Sequence, residues 1–297
     1  MPDQRAEAAS DEPPLTAQSR EVLAGGYRLH FLEAGNGPPL VLLHGTAIDS
    51  AALSYGPSLP ELAKNHHVLA LDWPGYGRSE RPQVDMSIPE LVALLESFLD
   101  AVGLERVHLA GFSMGGAVAL GFALRAPQRV ATLTLVGSYG LDDSLPVPLL
   151  PYVAMRLPNL SASVVWGMRR SRRLVRLVLR YIVFSNAGRV TNELVEKVHD
   201  QLQTPQAERS FVAWLRGELR PFRLGTSYAD SLAEVVVPTL LLHGADDRVM
   251  PPRKARRASA RIVGSRLVLV PDCGHWLPRE ATAVFIEELN GVTKEPG

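Results

Sequence analysis

The sequence predicts an α/β protein with a mostly parallel sheet. Short, continuous apolar runs recur along its 297 residues, and segments with the 3.6-residue period of helices lie between most of these runs. Runs without polar alternation are typical of strands in a parallel sheet that helices cover on both faces. We interpret six such runs as strands, at residues 40–43, 68–71, 107–110, 133–136, 239–242 and 267–270.

One helix can be bounded from the sequence. Ser87 and Glu90 form a capping-box pattern, and Gly103 follows the last turn as a helix stop. Between them the apolar residues fall on one face, which predicts a helix that packs on the sheet. The residues on that face are Ile88, Leu91, Leu95, Phe98 and Val102.

The chain divides into a tail, a core and an inserted cap. Residues 1–20 carry charges and prolines without an apolar stretch, so we expect a mobile tail and not a signal peptide. The fourth and fifth strands are separated by about a hundred residues, although a crossover with its helix needs only about 12 or somewhat more. We therefore assign residues 21–138 and 231–297 to the core and residues 139–230 to a helical cap, with helices at 191–202 and 206–219.

Composition predicts a globular protein and does not indicate a nucleic acid or a membrane as its partner. The 31 Lys and Arg residues balance the 31 Asp and Glu residues, so the overall charge does not indicate a nucleic acid as a partner. No apolar run reaches the ~20 residues of a membrane span. The single cysteine, Cys273, cannot form an internal disulfide, which agrees with our expectation of a cytoplasmic protein. The sequence does not indicate an oligomeric state.

A candidate nucleophile stands between the third predicted strand and a helix. Residues 111–115, GFSMG, match the pattern G-x-S-x-G in the strand–turn–helix context of a nucleophile elbow. So tight a turn brings backbone atoms close together, which requires small residues around Ser113. Because Ser113 precedes a predicted helix, we expect the backbone N–H of Met114 to face an oxyanion that develops there.

A serine nucleophile needs a base, and the base needs an orienting acid. In parallel α/β sheets the reactive groups gather beyond the carboxyl ends of the strands. His275 follows the last predicted strand, and Asp246 and Asp247 follow the strand before it. The order serine, aspartate, histidine is the order of α/β-hydrolases. Position on the sheet leaves both aspartates open as the acid.

Five motifs together resemble the α/β-hydrolase fold serine hydrolases with a helical cap. They are HGT at 44–46, DWPGYGRS at 72–79, GFSMGG at 111–116, GADDRVMP at 244–251 and CGHWLPRE at 273–280, and the resemblance covers nearly all of the chain after the tail. In that family the acid is the third residue after the glycine, so the resemblance implies Asp247. It also implies that the second oxyanion donor is the backbone N–H of Thr46, with Ala47 as the alternative.

Other residues near these motifs have simpler interpretations. Trp73, Phe112 and Trp276 are candidates for the substrate pocket, although Trp276 fits a packing role equally well. His44 most simply orders its own loop, and His243 fits a structural role after a core strand. The histidines lack the spacing of a zinc site, and no G-x-G-x-x-G opens a dinucleotide fold, so neither a metal nor a cofactor is expected.

The cap is basic and contains one segment rich in arginine. The whole cap has 13 basic and 8 acidic residues, a net charge of +5 against −5 for the rest of the chain. Five arginines fall on one stripe of a single predicted helix, and apolar residues surround the other side. A solvated face is the favoured interpretation, and a lid that meets an anionic lipid surface or attracts carboxylated substrates is the alternative. The stripe is Arg169, Arg172, Arg173, Arg176 and Arg180, opposite Met168, Val175, Val178 and Ile182.

These residues predict a serine hydrolase that works through an acyl-enzyme and whose partner is a small-molecule substrate. Hydrolysis of a carboxylic ester of a small to medium substrate is the first expectation, because the resembled family most often catalyses it. Carbon–carbon bond hydrolysis, as in the meta-cleavage product hydrolases, is the alternative. Those enzymes usually have a loop rich in Gly and Pro after HG and an Asn before the serine, where this chain has HGTAIDS and Phe112. A non-enzymatic ligand receptor is a third alternative, which the complete triad disfavours. Epoxide hydrolases and haloalkane dehalogenases are excluded because they use aspartate in place of Ser113.

Overall fold

The computed structural model describes residues 17–81, 86–144, 158–203, 214, 217–220 and 223–294. Its strands are β1 (Gln18–Ala24), β2 (Tyr27–Ala34), β3 (Pro39–Leu43), β4 (His67–Leu71), β5 (Val107–Phe112), β6 (Val130–Val136), β7 (Leu219–Arg220), β8 (Arg223–Leu224), β9 (Thr239–Gly244) and β10 (Arg266–Val270). Eight of them form one sheet in the order β1-β2-β4-β3-β5-β6-β9-β10. In this sheet order, every neighbouring pair from β4 onward is parallel, which confirms the predicted α/β class.

Helices precede or follow most of the strands. They are α1 (Ala51–Tyr55), α2 (Leu59–Leu62), α3 (Ile88–Ala101), α4 (Met114–Arg125), α5 (Pro158–Arg170), α6 (Arg172–Val178), α7 (Asn192–Leu202), α8 (Arg253–Ser259), α9 (Leu277–Glu280) and α10 (Thr282–Thr293). Single turns of 3₁₀ helix lie at Pro127–Arg129, Ala187–Arg189 and Ala229–Glu234, and a π turn lies at Leu179–Val183. Among the described residues, no helix is both long enough and apolar enough to cross a membrane.

Strand β3 shows why the six predicted strands lack polar alternation. Val41 and Leu43 face one apolar cluster, which contains residues of α3 and α4. Leu40 and Leu42 face a second cluster, which contains residues of α1, α10 and the cap helices. All four side chains are fully buried. Alternate residues of a strand point to opposite faces, so a sheet that is covered on both faces needs an apolar residue at every position.

Two antiparallel strands at the amino-terminal edge were not predicted. Strand β1 pairs with β2 along its whole length, and β2 pairs antiparallel with β4. The tail predicted for residues 1–20 is therefore too long, because β1 begins at Gln18. Most side chains of β1 are exposed, so its sequence lacks the apolar run that marks the other strands.

The predicted boundaries of α3 are confirmed. The Glu90 carboxylate accepts hydrogen bonds from the backbone N–H and the hydroxyl of Ser87, both at 2.7 Å, and the helix begins at Ile88. It ends at Ala101, and Gly103 has the left-handed φ of 72° that is common just after a helix.

The prediction of a single helix for the basic segment of the cap is wrong. Ser171 has extended backbone angles and separates α5 from α6, and its hydroxyl caps α6 by accepting the N–H of Leu174. Serine favours this position because its side chain satisfies a backbone N–H that would otherwise lack a partner. The arginine stripe is therefore broken, and Ile182 on its apolar side is exposed rather than buried.

Four arginines of that stripe bond to other parts of the cap. Arg172 forms an ion pair with Glu196 of α7, and Arg176 donates to the side-chain oxygen of Asn192, at 2.8 Å. Arg169 and Arg180 donate to the backbone carbonyls of Gln203 and Ala187. The contacts of Arg172 and Arg176 hold α6 against α7, and that of Arg180 joins the π turn to the 3₁₀ turn at Ala187–Arg189.

The two further helices predicted in the cap have different outcomes. Residues 191–202 form α7 with Thr191 as its N-cap, which confirms that prediction. Most of the predicted helix at 206–219 lies outside the described residues. At its end, Leu219 belongs to β7, which pairs with β8 in a short antiparallel hairpin.

Candidate active site

Ser113 occupies a strained turn between β5 and α4. Its φ of 53° and ψ of −115° are unusual for a residue other than glycine. A Cβ atom on Gly111 would lie 2.2 Å from the carbonyl oxygen of Gly115, and a Cβ atom on Gly115 would lie 2.2 Å from that of Leu43. The prediction that the elbow requires residues without bulk is therefore confirmed, and the small neighbours leave Ser113 at the carboxyl end of the sheet.

The structure brings together the three side chains that were predicted as a triad. Ser113 Oγ lies 3.0 Å from His275 Nε2, and His275 Nδ1 lies 2.8 Å from Asp247 Oδ2. All three residues are at least nine-tenths buried. They follow β5, β10 and β9, whose parallel alignment puts their ends at one edge of the sheet. A carboxylate only accepts, so Nδ1 carries a proton and the other ring nitrogen, Nε2, faces the serine hydroxyl.

The structure distinguishes between the two candidate acids. Asp247 contacts His275, whereas the exposed carboxylate of Asp246 accepts a hydrogen bond from the hydroxyl of Ser185 in the cap, at 3.0 Å. The backbone N–H of Asp246 donates to the carbonyl of Cys273, and Cys273 is a fully buried residue. Asp247 is therefore the acid that orients the imidazole in this geometry.

Asp247 is held as a carboxylate by its surroundings. Burial alone would raise its pKa, but the charge of His275 and the hydrogen bonds from His243 and His275 lower the pKa well below the usual value. Its other oxygen accepts the backbone N–H groups of Val249 and Met250, at 2.8 and 2.7 Å. An ionised acid at this position stabilises the imidazolium that forms when His275 takes a proton.

His243 was interpreted only as structural, but it contacts the acid. Its Nε2 lies 3.3 Å from Asp247 Oδ2 and donates to the carbonyl of Met250, at 2.7 Å. The sequence signal was its place at the end of β9, four residues before Asp247. The carboxylate is thus bounded by two imidazoles, of which one faces Ser113.

The predicted oxyanion donors belong to two segments that adjoin Ser113. Met114 is the first residue of α4, and the first N–H groups of a helix have no carbonyl partner within the helix. Thr46 follows Gly45, whose Cα lies so near Ser113 that a Cβ on it would be 3.2 Å from the Cβ of Ser113. The loop continues through Ala47, which has a left-handed φ of 68°.

A buried carboxylate that the sequence analysis missed anchors this loop. Asp49 accepts the backbone N–H of Gly45 and the hydroxyl of Ser54, both at 2.8 Å. Burial raises the pKa of Asp49, although the charge of His44 and these hydrogen bonds oppose the shift. The Ser54 hydroxyl also accepts the indole N–H of Trp276, at 2.8 Å. The loop before the nucleophile and the loop that carries the base are therefore joined through one serine.

The three pocket candidates occupy different places. Phe112 packs its ring 5.0 Å from the ring of His275, next to the nucleophile. Trp276 follows the base but turns its indole toward Ser54, so packing is its observed role. Trp73 is fully buried and donates its indole N–H to the carbonyl of His44, which corrects the expectation that it lines a pocket. His44 in turn orders its own loop, because its Nδ1 donates to the Gly45 carbonyl.

The cap binds directly to the loop that carries His275. The backbone N–H of His275 donates to the carbonyl of Val183, at 2.7 Å. The fully buried carboxylate of Glu280 accepts the backbone N–H groups of Ser185 and Asn186 in the cap with one oxygen, at 2.9 and 2.7 Å. Its other oxygen accepts the N–H of Gly274, at 2.7 Å. Glu280 therefore ties the cap to the residue before the base.

Within the described part of the chain, no group of three or more His, Cys, Asp or Glu residues is arranged to bind a metal ion. The arrangement around Ser113 instead has the parts of a nucleophilic hydrolase: a hydroxyl, a base, an orienting acid and a helix amino terminus.

The fold and the site together define an α/β-hydrolase. A family model for the alpha/beta hydrolase fold matches residues 38–281, and the chain belongs to this family.

Similar proteins include hydrolases from several pseudomonads. The chain is 32% identical to the 2-hydroxy-6-oxo-2,4-heptadienoate hydrolase of Pseudomonas putida over 274 residues, which cover 91% of this chain and 94% of that protein. It is 30% identical to a 2-hydroxymuconate semialdehyde hydrolase of a Pseudomonas species, with 90% of each chain covered. These relatives support an enzyme, so we set the non-enzymatic receptor aside.

Solved structures give the same fold. A meta-cleavage product hydrolase from Pseudomonas fluorescens matches with a TM-score of 0.80 and 26% identity, over 94% of this chain and 98% of that chain. A carboxylesterase from Bacillus subtilis matches with a TM-score of 0.77 and 22% identity, over 95% and 93% of the two chains, and at this identity the likeness shows the fold alone.

Proposed function

We propose that this protein is a serine hydrolase that cleaves the carbon–carbon bond beside a ketone in a 2-hydroxy-6-oxo-dienoate. The proposal replaces ester hydrolysis as the first expectation. The observation that carries it is the similarity over nine-tenths of the chain to hydrolases named for such substrates. A 2-hydroxy-6-oxo-2,4-heptadienoate contains a carboxylate, an enol and a ketone but neither an ester nor an amide. Hydrolysis of such a compound therefore has to break a carbon–carbon bond.

The geometry supports a mechanism in two halves. In the first half His275 takes the proton of Ser113, and Ser113 Oγ attacks the ketone carbon. We assign the oxyanion that forms to the backbone N–H groups of Met114 and Thr46. The bond between the ketone carbon and the neighbouring dienoate carbon breaks, and protonated His275 supplies the proton that the departing enolate takes up. In the second half water attacks the acyl-enzyme, while Asp247 keeps the imidazole oriented.

Carbon is a poor leaving group unless its electron pair is delocalised. In the keto form of this substrate class, the electron pair that is released enters a conjugated enolate. The barrier therefore depends on how the substrate is held while it is in that form. The triad would serve ester hydrolysis equally well, so it does not position the keto form. We assign this positioning to the cap and to Phe112, which packs against His275.

Ester hydrolysis is the second candidate, and Phe112 is the observation that favours it. The meta-cleavage product hydrolases that the sequence resembles usually have Asn at this position and a loop rich in Gly and Pro after HG. Here an apolar ring stands beside the base, and the loop 44–50 reads HGTAIDS. An apolar wall suits an acyl chain better than it suits an anionic dienoate.

A comparison of two substrates tests the proposal. Purified protein is assayed with 2-hydroxy-6-oxo-2,4-heptadienoate, followed by loss of its visible absorbance, and with p-nitrophenyl butyrate. We expect the kcat/KM for the dienoate to exceed that for the ester by at least about 100-fold, and both activities to disappear in Ser113→Ala. A higher kcat/KM for the ester would select the second candidate, and activity that survives in Ser113→Ala would reject the nucleophile in both.

A further inference from the structure

A second Ser–His–Asp relay lies away from Ser113, where β1 pairs with β2. Ser19 Oγ is 2.7 Å from His30 Nε2, and His30 Nδ1 is 2.7 Å from Asp72 Oδ2. The same atom types are joined in the same order in the site around Ser113, where the two distances are 3.0 and 2.8 Å. A nucleophile in contact with a base, and a base oriented by a third group, is the structural signature of an activated hydroxyl.

The acid of this second relay is fixed and ionised. Asp72 is almost fully buried and accepts the backbone N–H groups of Ala51 and Arg78, at 2.8 and 3.1 Å. Burial alone would raise its pKa, but the hydrogen bond from His30 and the charges of His44 and His30 lower the pKa below the usual value. A carboxylate only accepts, so His30 Nδ1 carries a proton, and the other ring nitrogen, Nε2, faces Ser19 as the atom that takes its proton.

Ser19 is an exposed residue, and its hydroxyl lies beside a cation. Ser19 is exposed on β1, whereas His30 behind it is buried. The guanidinium of Arg78 donates to Ser19 Oγ, at 3.4 Å. A cation at this distance stabilises negative charge that develops during attack on a carbonyl. Ser19 thus has a base, an orienting acid and an electrostatic partner, together with an open approach from solvent.

We propose that Ser19 is a second nucleophile, which accepts the acyl group of small activated esters independently of Ser113. Ser19 Oγ forms a bond to the acyl carbon while its proton passes to His30 Nε2. The bond between the acyl carbon and the ester oxygen then breaks, and the departing alkoxide takes the proton from His30. The products are a neutral ester on Ser19 and one alcohol, without oxidation or reduction.

The acyl group remains on Ser19 instead of turning over. Ser19 lies within β1, opposite Leu32 of β2 in the ladder, and not at the amino terminus of a helix as Ser113 does. Ser19 therefore does not have beside it the unpaired N–H groups of a helix amino terminus, which we expect to bind the oxyanion at Ser113. Attack by water on the acyl-serine has in addition to expel the Ser19 alkoxide, a much poorer leaving group than that of an activated ester, so this step is slow and the modified protein accumulates.

The test uses the Ser113→Ala variant, so its result does not depend on the function proposed for Ser113. The protein is treated with p-nitrophenyl acetate, and acetylation of each serine is followed by peptide mass spectrometry. Ser227 is the internal control, because it is also exposed and its hydroxyl accepts only a backbone N–H among the contacts described, that of Ala229. We expect Ser19 to be acetylated about 100-fold faster than Ser227, the gain that a positioned base gives.

Two further variants extend the test. Ser113→Ala/Ser19→Ala should lose the fast acetylation and keep the slow reaction at Ser227. Ser113→Ala/His30→Gln should reduce acetylation of Ser19 to the rate of Ser227, with circular dichroism used to check the fold. If His30→Gln does not fold, the ratio of the two serines in Ser113→Ala alone decides. A rate at Ser19 equal to that at Ser227, or one unchanged in a folded His30→Gln variant, overturns the proposal.

Discussion

Replacing Glu280 with Gln tests whether the cap positions the base. The carboxylate of Glu280 accepts three backbone N–H groups in a site closed to solvent, two from the cap and one from Gly274. Glutamine has the same shape but only one acceptor oxygen. In its better orientation the amide oxygen keeps the two cap N–H groups, and the amide NH₂ then faces the N–H of Gly274. A donor opposes a donor at the residue before His275.

The magnitude follows from these three contacts. One buried N–H without a partner costs about 1–3 kcal/mol, and the two remaining hydrogen bonds lose the assistance of the charge. We expect Glu280→Gln to lower the free energy of unfolding by about 2–3 kcal/mol and the Tm by about 5–10 °C. Because the base loop loses an anchor, we also expect kcat/KM to fall by about 10–100-fold, since small displacements of a catalytic group have effects of this size.

The assay separates stability from positioning. Urea unfolding gives the first quantity, and the rate at which a fluorophosphonate labels Ser113 gives the second, because labelling needs the base but not a particular substrate. Glu287→Gln is the matched control, an exposed glutamate on α10 whose replacement should change stability by less than about 0.5 kcal/mol. Labelling at the wild-type rate in a folded but less stable Glu280→Gln would refute the positioning argument, and equality of the two variants in both assays would refute all of it.

Three other predictions concern the triad and the elbow. Asp247→Asn should lower kcat by about 10⁴-fold because the imidazole loses its orienting charge, while Asp246→Asn should retain most activity; equal losses would contradict the assignment. Because the pKa of Asp247 in the folded protein lies below its usual value, its carboxylate stabilises the fold above about pH 4, and this contribution is lost as the pH falls toward the lowered value. The difference in unfolding free energy between wild type and Asp247→Asn should therefore shrink between about pH 6 and about pH 3, and a constant difference would be inconsistent with the shift. Gly115→Ala should prevent stable folding, since its Cβ would lie 2.2 Å from a backbone oxygen. Gly291→Ala in α10, where a Cβ would meet nothing within 4 Å outside its own helix, should raise stability by up to about 1 kcal/mol in thermal unfolding.

The sequence predicts those strands that contain an uninterrupted apolar run. Each of the six apolar runs lies inside an observed strand, and burial on both faces explains the pattern in β3, β4, β5, β6 and β9, whose residues are nearly all buried. Strand β2 is also largely buried, but His30 and Glu33 interrupt its apolar run. Strand β1 escapes prediction because its segment, QSREVLA, is mostly exposed and is stabilised by pairing with β2. The break at Ser171 in the basic segment also depends on local hydrogen bonding that helical periodicity does not report.

The nucleophile and the base are predictable because each has a fixed place after a strand. The acid needed either the family pattern or the structure, since Asp246 and Asp247 differ by one residue and only one of them turns toward His275. The supporting carboxylates were not predictable in the same way. Asp49 acts within its own loop, but the cap partners of Glu280 lie about 95 residues away in the chain. No local pattern specifies such a contact.

The loops that carry the triad are held in place largely by contacts that do not depend on the cap side chains. The loop before the nucleophile is anchored through Asp49 and Ser54, and Ser54 also holds Trp276 beside the base. The cap reaches the base loop through backbone groups, the carbonyl of Val183 and the N–H groups that Glu280 accepts. Backbone contacts persist when cap side chains change, so the cap can be altered for another substrate without displacing the triad. We therefore expect substitutions that exchange ester and carbon–carbon bond hydrolysis to lie among the cap side chains and at Phe112, and not in the triad.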